Sequence, residues 1–196
     1  MAPKRPFPLV LMGLLLGGPL LWLSGCAGSK YETPDYKLVS SEGVFEIRDY
    51  PFLTLVTAPM PQRGADGAFM KLFRFISGKN DRSEKIAMTT PVLMSGAESG
   101  TMAFILPKSV ADHWAPTPSN PDLSVATKAP ARYAVIRYKG SVSPDHSFRE
   151  ASKLEAWVAA KGLHPSGPPV FAYYNPPWTP GFMRRNEVLI PIPAGP

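Results

Sequence analysis

Two short apolar stripes at helical spacing, each closed by a glycine and each set among runs of β-formers, constrain this chain more than any other feature. Phe69, Leu72, Phe73 and Ile76 recur at i, i+3, i+4 and i+7, the signature of a helix with one buried face. They predict a helix over residues 66–77 whose sheet-facing side carries those four, with Gly78 as its stop. Phe148, Ala151, Leu154, Trp157 and Val158 mark a second helix. It opens at Ser143-Pro144, with serine at the N-cap and proline at the first helical position, and stops at Gly162.

The strand signals group around these two helices. Residues 44–50 alternate, with Phe45 and Ile47 against Glu46 and Arg48, and residues 52–57 are β-formers. Residues 85–94 read as a strand broken at Pro91, and residues 101–106 as its partner across a turn at 95–100. Residues 107–121, rich in Pro, Ser and Asp, read as a link. Beyond it, residues 123–127, 133–138, 170–174 and 186–192 are further strands, with a Pro-rich loop over 175–182. The order is therefore ββαββ, stated twice. That predicts an α+β fold: a curved antiparallel sheet or distorted barrel carrying two helices.

A hydrophobic share of 44% with 18% charged residues fits a globular chain. The single cysteine, Cys26, excludes an internal disulfide and a thiolate metal cluster. The net charge of +6 contains no long Lys/Arg run and no basic motif interleaved with aromatics, so nucleic acid is not expected as a partner.

The N-terminus reads as an export signal. Lys4 and Arg5 precede an apolar stretch from Phe7 to Leu23, and then comes Leu23-Ser24-Gly25-Cys26. This ending resembles the lipobox of bacterial lipoproteins. The resemblance implies cleavage before Cys26, lipidation of its thiol and a membrane partner through that anchor. With Ala27 after the cysteine, it also implies the outer membrane facing the periplasm if the envelope is Gram-negative. The expected organisation is a signal peptide (1–25), a lipidated tether (26–36), one domain (37–192) and a short tail (193–196).

Six segments in order resemble the SOUL/haem-binding-protein family. They are Glu46-Ile47-Arg48-Asp49-Tyr50; Phe69 through Ile76-Ser77-Gly78-Lys79-Asn80; Lys85-Ile86-Ala87-Met88-Thr89-Thr90-Pro91-Val92; Phe104-Ile105-Leu106-Pro107; Ala134-Val135-Ile136-Arg137-Tyr138-Lys139-Gly140; and Tyr174-Asn175-Pro176-Pro177-Trp178-Thr179-Pro180 followed by Arg184-Arg185-Asn186-Glu187-Val188. The resemblance implies a duplicated β/α unit and non-covalent, non-catalytic binding of haem or a related tetrapyrrole, for sequestration or transfer. It also implies a slot between the halves. Met70, Phe73 and Arg74 of the first helix would form one wall. Trp178, Phe182, Arg184 and Arg185 of the last loop would form the other. Arg74 is then a propionate partner, since a guanidinium offers charge and a planar fork of donors. If Arg184 and Arg185 start a strand they point to opposite faces, and one at most reaches the slot.

Catalytic signals are sparse. Asp145-His146-Ser147 holds the residue types of a triad, but consecutive residues on a helix cannot converge. No catalytic or metal-ligating set is expected. His113, His146 and His164 read as surface residues, and Cys-x-x-Cys-His is absent, which rules out covalent haem attachment of that type. The competing reading is a hydrolase or isomerase of a small apolar molecule using the same slot, with Glu46 or Glu187 as acid or base.

Overall fold

The computed structural model describes residues 31–60, 65–96 and 100–194, with backbone alone for 65 and 66. The expected signal peptide, Cys26 and most of the tether lie outside the described residues. The elements run β1 (Lys37–Glu42), β2 (Phe45–Tyr50), β3 (Leu53–Pro59), α1 (Ala65–Ile76), β4 (Val92–Ser95), β5 (Thr101–Ile105), α2 (Lys108–Ala111), β6 (Ser124–Lys128), β7 (Ala131–Tyr138), α3 (Pro144–Ala160), β8 (Val170–Tyr173) and β9 (Asn186–Ile192). One curled antiparallel sheet, open like a half-barrel, takes all nine strands in the order β1-β2-β7-β9-β8-β4-β5-β3-β6. No described helix is long and apolar enough to cross a membrane.

The strand order has a property that its list form hides. Exchange β2 with β6, β3 with β7, β4 with β8 and β5 with β9, and the last eight strands read backwards onto themselves. The pairings β2–β7, β3–β6 and β4–β8 all join the first half of the chain to the second. β1 and α2 stand outside the expected ββαββ order.

The sheet is buried on both faces because several strands are apolar at both parities. Along β5, Met102 and Phe104 face one way and Ala103 and Ile105 the other, and all four are buried. A strand so built needs cover on both sides. The helices cover one face. Ala68, Leu72, Phe75 and Ile76 of α1 pack with Val56, Met102 and Phe104, while Ala151, Leu154 and Val158 of α3 pack with Ala134, Ile136, Val188 and Ile190.

Helix α1 lies in a different rotational phase from the one its spacing suggests. Phe75 is buried, and Phe73 is 44% exposed. Phe69 packs edge-on against Phe104 at 5.4 Å and stacks on Phe73 at 6.1 Å on its outer side. The small Ala68 lets the helix approach the sheet along the Ala68–Leu72–Phe75–Ile76 row. Helix α3 starts as expected: the Ser143 hydroxyl accepts a hydrogen bond from the His146 N–H at 3.3 Å, a cap worth roughly 1 kcal/mol. Gly162 follows it with φ +68°, a conformation that costs a Cβ-bearing residue and leaves glycine free.

One expected strand is shorter than the sequence suggests, and one strand was not expected. Only residues 92–95 of the 85–94 run join the sheet, and β1 adds an edge strand where no alternation was visible, since all six of its residues are exposed.

Candidate functional site

The face of the sheet away from α1 and α3 is concave, and half of it is apolar. Leu53 and Leu55 of β3, Leu93 of β4, Ala103 and Ile105 of β5, Val170 of β8 and Leu189 of β9 line a groove of about 310 Å³. Tyr50, Tyr133 and Tyr174 stand along one side, and Lys128 with Ala129 and Ala131 at the β6–β7 turn close another. Small-molecule sites typically enclose ~300–1,000 Å³ behind mostly apolar walls. This groove lies at the lower end, so a larger guest would leave an edge in solvent.

The other half of the concave face is an ion cluster. Arg48, wholly buried on β2, donates from Nε to Glu46 at 2.6 Å and in a fork to both oxygens of Glu187 at 2.8 and 3.1 Å. Its Nη1 also reaches the Tyr50 hydroxyl at 3.0 Å, and its guanidinium lies 4.3 Å from the Tyr36 ring centre. Glu187 further accepts from Arg185 at 2.7 and 3.0 Å and from the Tyr174 hydroxyl at 2.9 Å. Glu46 takes a second cation, Arg137, at 2.5 Å. Every oxygen of the two carboxylates therefore has an arginine donor, as burial of charge demands.

The protonation preferences follow. Burial would raise the Glu187 carboxyl, but hydrogen bonds and charge from Arg48 and Arg185 outweigh it and hold the group below its ordinary range. Burial pushes the Tyr50 hydroxyl up to about 12 despite Arg48, and raises Tyr174 too, with Glu187 adding to that rise. At neutral pH Glu187 is therefore a carboxylate held between Arg48 and Arg185, and Tyr50 and Tyr174 are neutral phenols.

The structure disperses the residues singled out from sequence. Arg185 comes nearest the groove: its guanidinium stacks 3.9 Å from the ring centre of Tyr174, a groove wall. Arg184 turns away and braces its own loop, donating to the Thr179 carbonyl at 2.7 Å and to that of Pro177. Trp178 and Phe182 on that loop are 81% and 75% exposed. Met70, Phe73 and Arg74 are exposed on α1, on the far side of the sheet. Arg74 borders a different, shallow recess with Lys71 and Lys79. The groove therefore forms on the concave face, between strands, rather than between α1 and the last loop.

Sequence reasoning missed the groove walls. Their signal was present in apolar runs such as Leu53-Thr54-Leu55-Val56 and Met102-Ala103-Phe104-Ile105, which have more apolar positions than one packed face needs. Among the described residues no histidine lines the groove, and no cluster of three or more His, Cys, Asp or Glu is arranged to hold a metal ion.

Solved structures share the architecture at low identity. The chain is similar to the EcmrR C-terminal domain, at 11% identity and a TM-score of 0.56, covering 82% of this chain and 99% of that one. It is also similar to a hydrolase from Listeria innocua, at 9% identity and a TM-score of 0.54, covering 79% and 94%. Such identities speak for the fold alone. No curated protein sequence matches the chain. The family model for the SOUL heme-binding protein matches residues 31–191, from the segment before β1 into the last strand, β9; the chain belongs to the SOUL heme-binding protein family.

Proposed function

We propose that this protein binds haem or a related tetrapyrrole, without covalent attachment and without acting on it chemically. The guest's flat apolar face would lie in the concave groove. Family membership supports the ligand class, and the observation that carries the placement is the apolar wall of Leu53, Leu55, Leu93, Ala103, Ile105 and Leu189. Lys128 at the rim offers a cation to a carboxylate of the guest. The wall is mainly aliphatic, so apolar contact would supply most of the binding. The groove also fits the inference that the domain is a duplicated unit, which the reversible strand order supports: guests commonly bind where two such halves meet.

The competing reading, a hydrolase or isomerase, needs a carboxylate free to exchange a proton. Glu46 and Glu187 are both engaged by arginines, which favours binding without chemistry. We further propose export and lipid anchoring at Cys26, from the lipobox-like Leu23-Ser24-Gly25-Cys26, which would tether the binder to the cell envelope.

Haemin titration into the detergent-solubilised full chain is the test. We expect a shifted Soret band that Ala103→Trp, which fills the groove, weakens at least tenfold, and that Arg74→Glu and Trp178→Ala leave unchanged. If those two weaken binding and Ala103→Trp does not, the guest sits instead along α1 and the last loop. No Soret shift at a large protein excess would remove haem as the ligand.

A further inference from the structure

Tyr50, Tyr133 and Tyr174 share one side of the groove, but their hydroxyls are engaged differently. The Tyr174 hydroxyl donates to Glu187 at 2.9 Å, so its proton is committed inside the ion cluster. Tyr50 is buried, and its hydroxyl accepts from the Arg48 guanidinium at 3.0 Å. The Tyr50 proton itself has no acceptor among the described residues. Tyr133 meets Tyr50 edge-on at 5.7 Å, and its hydroxyl has no hydrogen-bond partner among the described residues. Adjacent phenols on a mainly apolar wall therefore keep O–H groups to give. The one on Tyr50 is made a stronger donor by the arginine bonded to its oxygen.

We infer that Tyr50 and Tyr133 form a subsite for an acceptor oxygen, so that the groove selects flat apolar guests bearing a carboxylate. The charges around it lean the same way. Among the described residues the groove lining includes Lys128 and no aspartate or glutamate. Glu187, the acid of the adjoining cluster, is already held by Arg48 and Arg185. A cationic guest would find no free counter-charge there, whereas a carboxylate finds phenolic donors, one of them buried. A hydrogen bond to a charged acceptor is stronger than one between neutral groups. The inference rests on the tetrapyrrole reading and deepens it. The ring lies against Leu53, Leu55, Leu93 and Ile105. One propionate turns inward to Tyr50 and Tyr133, leaving the other for Lys128 at the rim.

Paired titrations separate the subsite from the rest of the groove. The detergent-solubilised full chain is titrated with haemin and, separately, with iron etioporphyrin, a porphyrin whose substituents are all alkyl and carry no carboxylate. The unaltered chain is expected to bind haemin about tenfold more tightly, as a hydrogen bond to a charged acceptor implies. Tyr133→Phe removes only a hydroxyl with no partner in the protein, and Tyr50→Phe removes the donor beside Arg48. Each is expected to weaken haemin binding several-fold and to leave iron etioporphyrin unchanged, so the second porphyrin also reports an intact groove. Equal affinities for the two porphyrins in the unaltered chain overturn the inference. So does an equal loss for both in the variants, or a preference for haemin that survives Tyr50→Phe and Tyr133→Phe combined. In each of those cases the Soret shift remains and the tetrapyrrole reading stands. If neither porphyrin shifts its Soret band, that reading falls and the subsite falls with it.

Discussion

The two halves of the concave face solve one burial problem in opposite ways. Over β3, β4 and β5 the side chains are aliphatic: Leu53, Leu55, Leu93, Ala103 and Ile105. Over β2 and the start of β9 they are Glu46, Arg48 and Glu187, closed by Tyr174 and Arg185. An aliphatic wall gains free energy in proportion to area, so it can stay partly uncovered at graded cost and wait for a guest. A buried charge has no graded option. Each oxygen and each guanidinium N–H needs a partner, and the ionic half is accordingly filled by its own residues. The same sheet thus holds one half able to receive a ligand and one half able only to complete itself.

The sharpest way to break that contrast is Arg48→Met. It strands Glu46 and Glu187 with Arg137 and Arg185 as their remaining cations, and a buried pair that loses one member typically costs about 3–5 kcal/mol. Urea unfolding should report a loss in that range; a change below about 1 kcal/mol would mean that water reaches the cluster. Ile105→Ala tests the other half. Ile105 is buried beneath the groove, so the truncation should lose some 2–5 kcal/mol, measured by the same titration. The smallest effect is expected from acid. The Glu187 carboxyl is depressed in the fold, so its contribution to stability is complete above the unfolded carboxyl pKa of about 4.3 and is lost as pH falls through the lower folded value. Urea midpoints measured from pH 6 down to pH 3 should fall, and Glu187→Gln, though less stable throughout, should fall less steeply.

Which features were legible in the sequence follows from how each is coded. Helix α3 was plain because Ser143, Pro144 and Gly162 punctuate it at both ends. Helix α1 was found, but its phase was not. Phe69, Phe73 and Phe75 crowd its surface, and the small Ala68 that decides the approach to the sheet has little hydrophobic weight of its own. Strand β1 was invisible because nothing about it is buried, so no alternation is written into its residues. Arg48 appeared as the polar partner of an alternating strand, the usual mark of a solvent-facing residue. Only its meeting with Glu187, 139 positions later, turns it inward. Pairings that distant leave no local pattern to read.

The interleaved ladders have a consequence for how the chain comes into being. Strand β2 finds its inner neighbour only when β7 exists, β3 lacks one partner until β6 exists, and β4 until β8. An N-terminal piece emerging first therefore has open edges and half a barrel wall. Such long-range closure is slow and exposes sticky intermediates. A polypeptide of this design has no self-sufficient first instalment: β2, β3 and β4 each wait for a strand from the second half, and β4 waits longest, until β8.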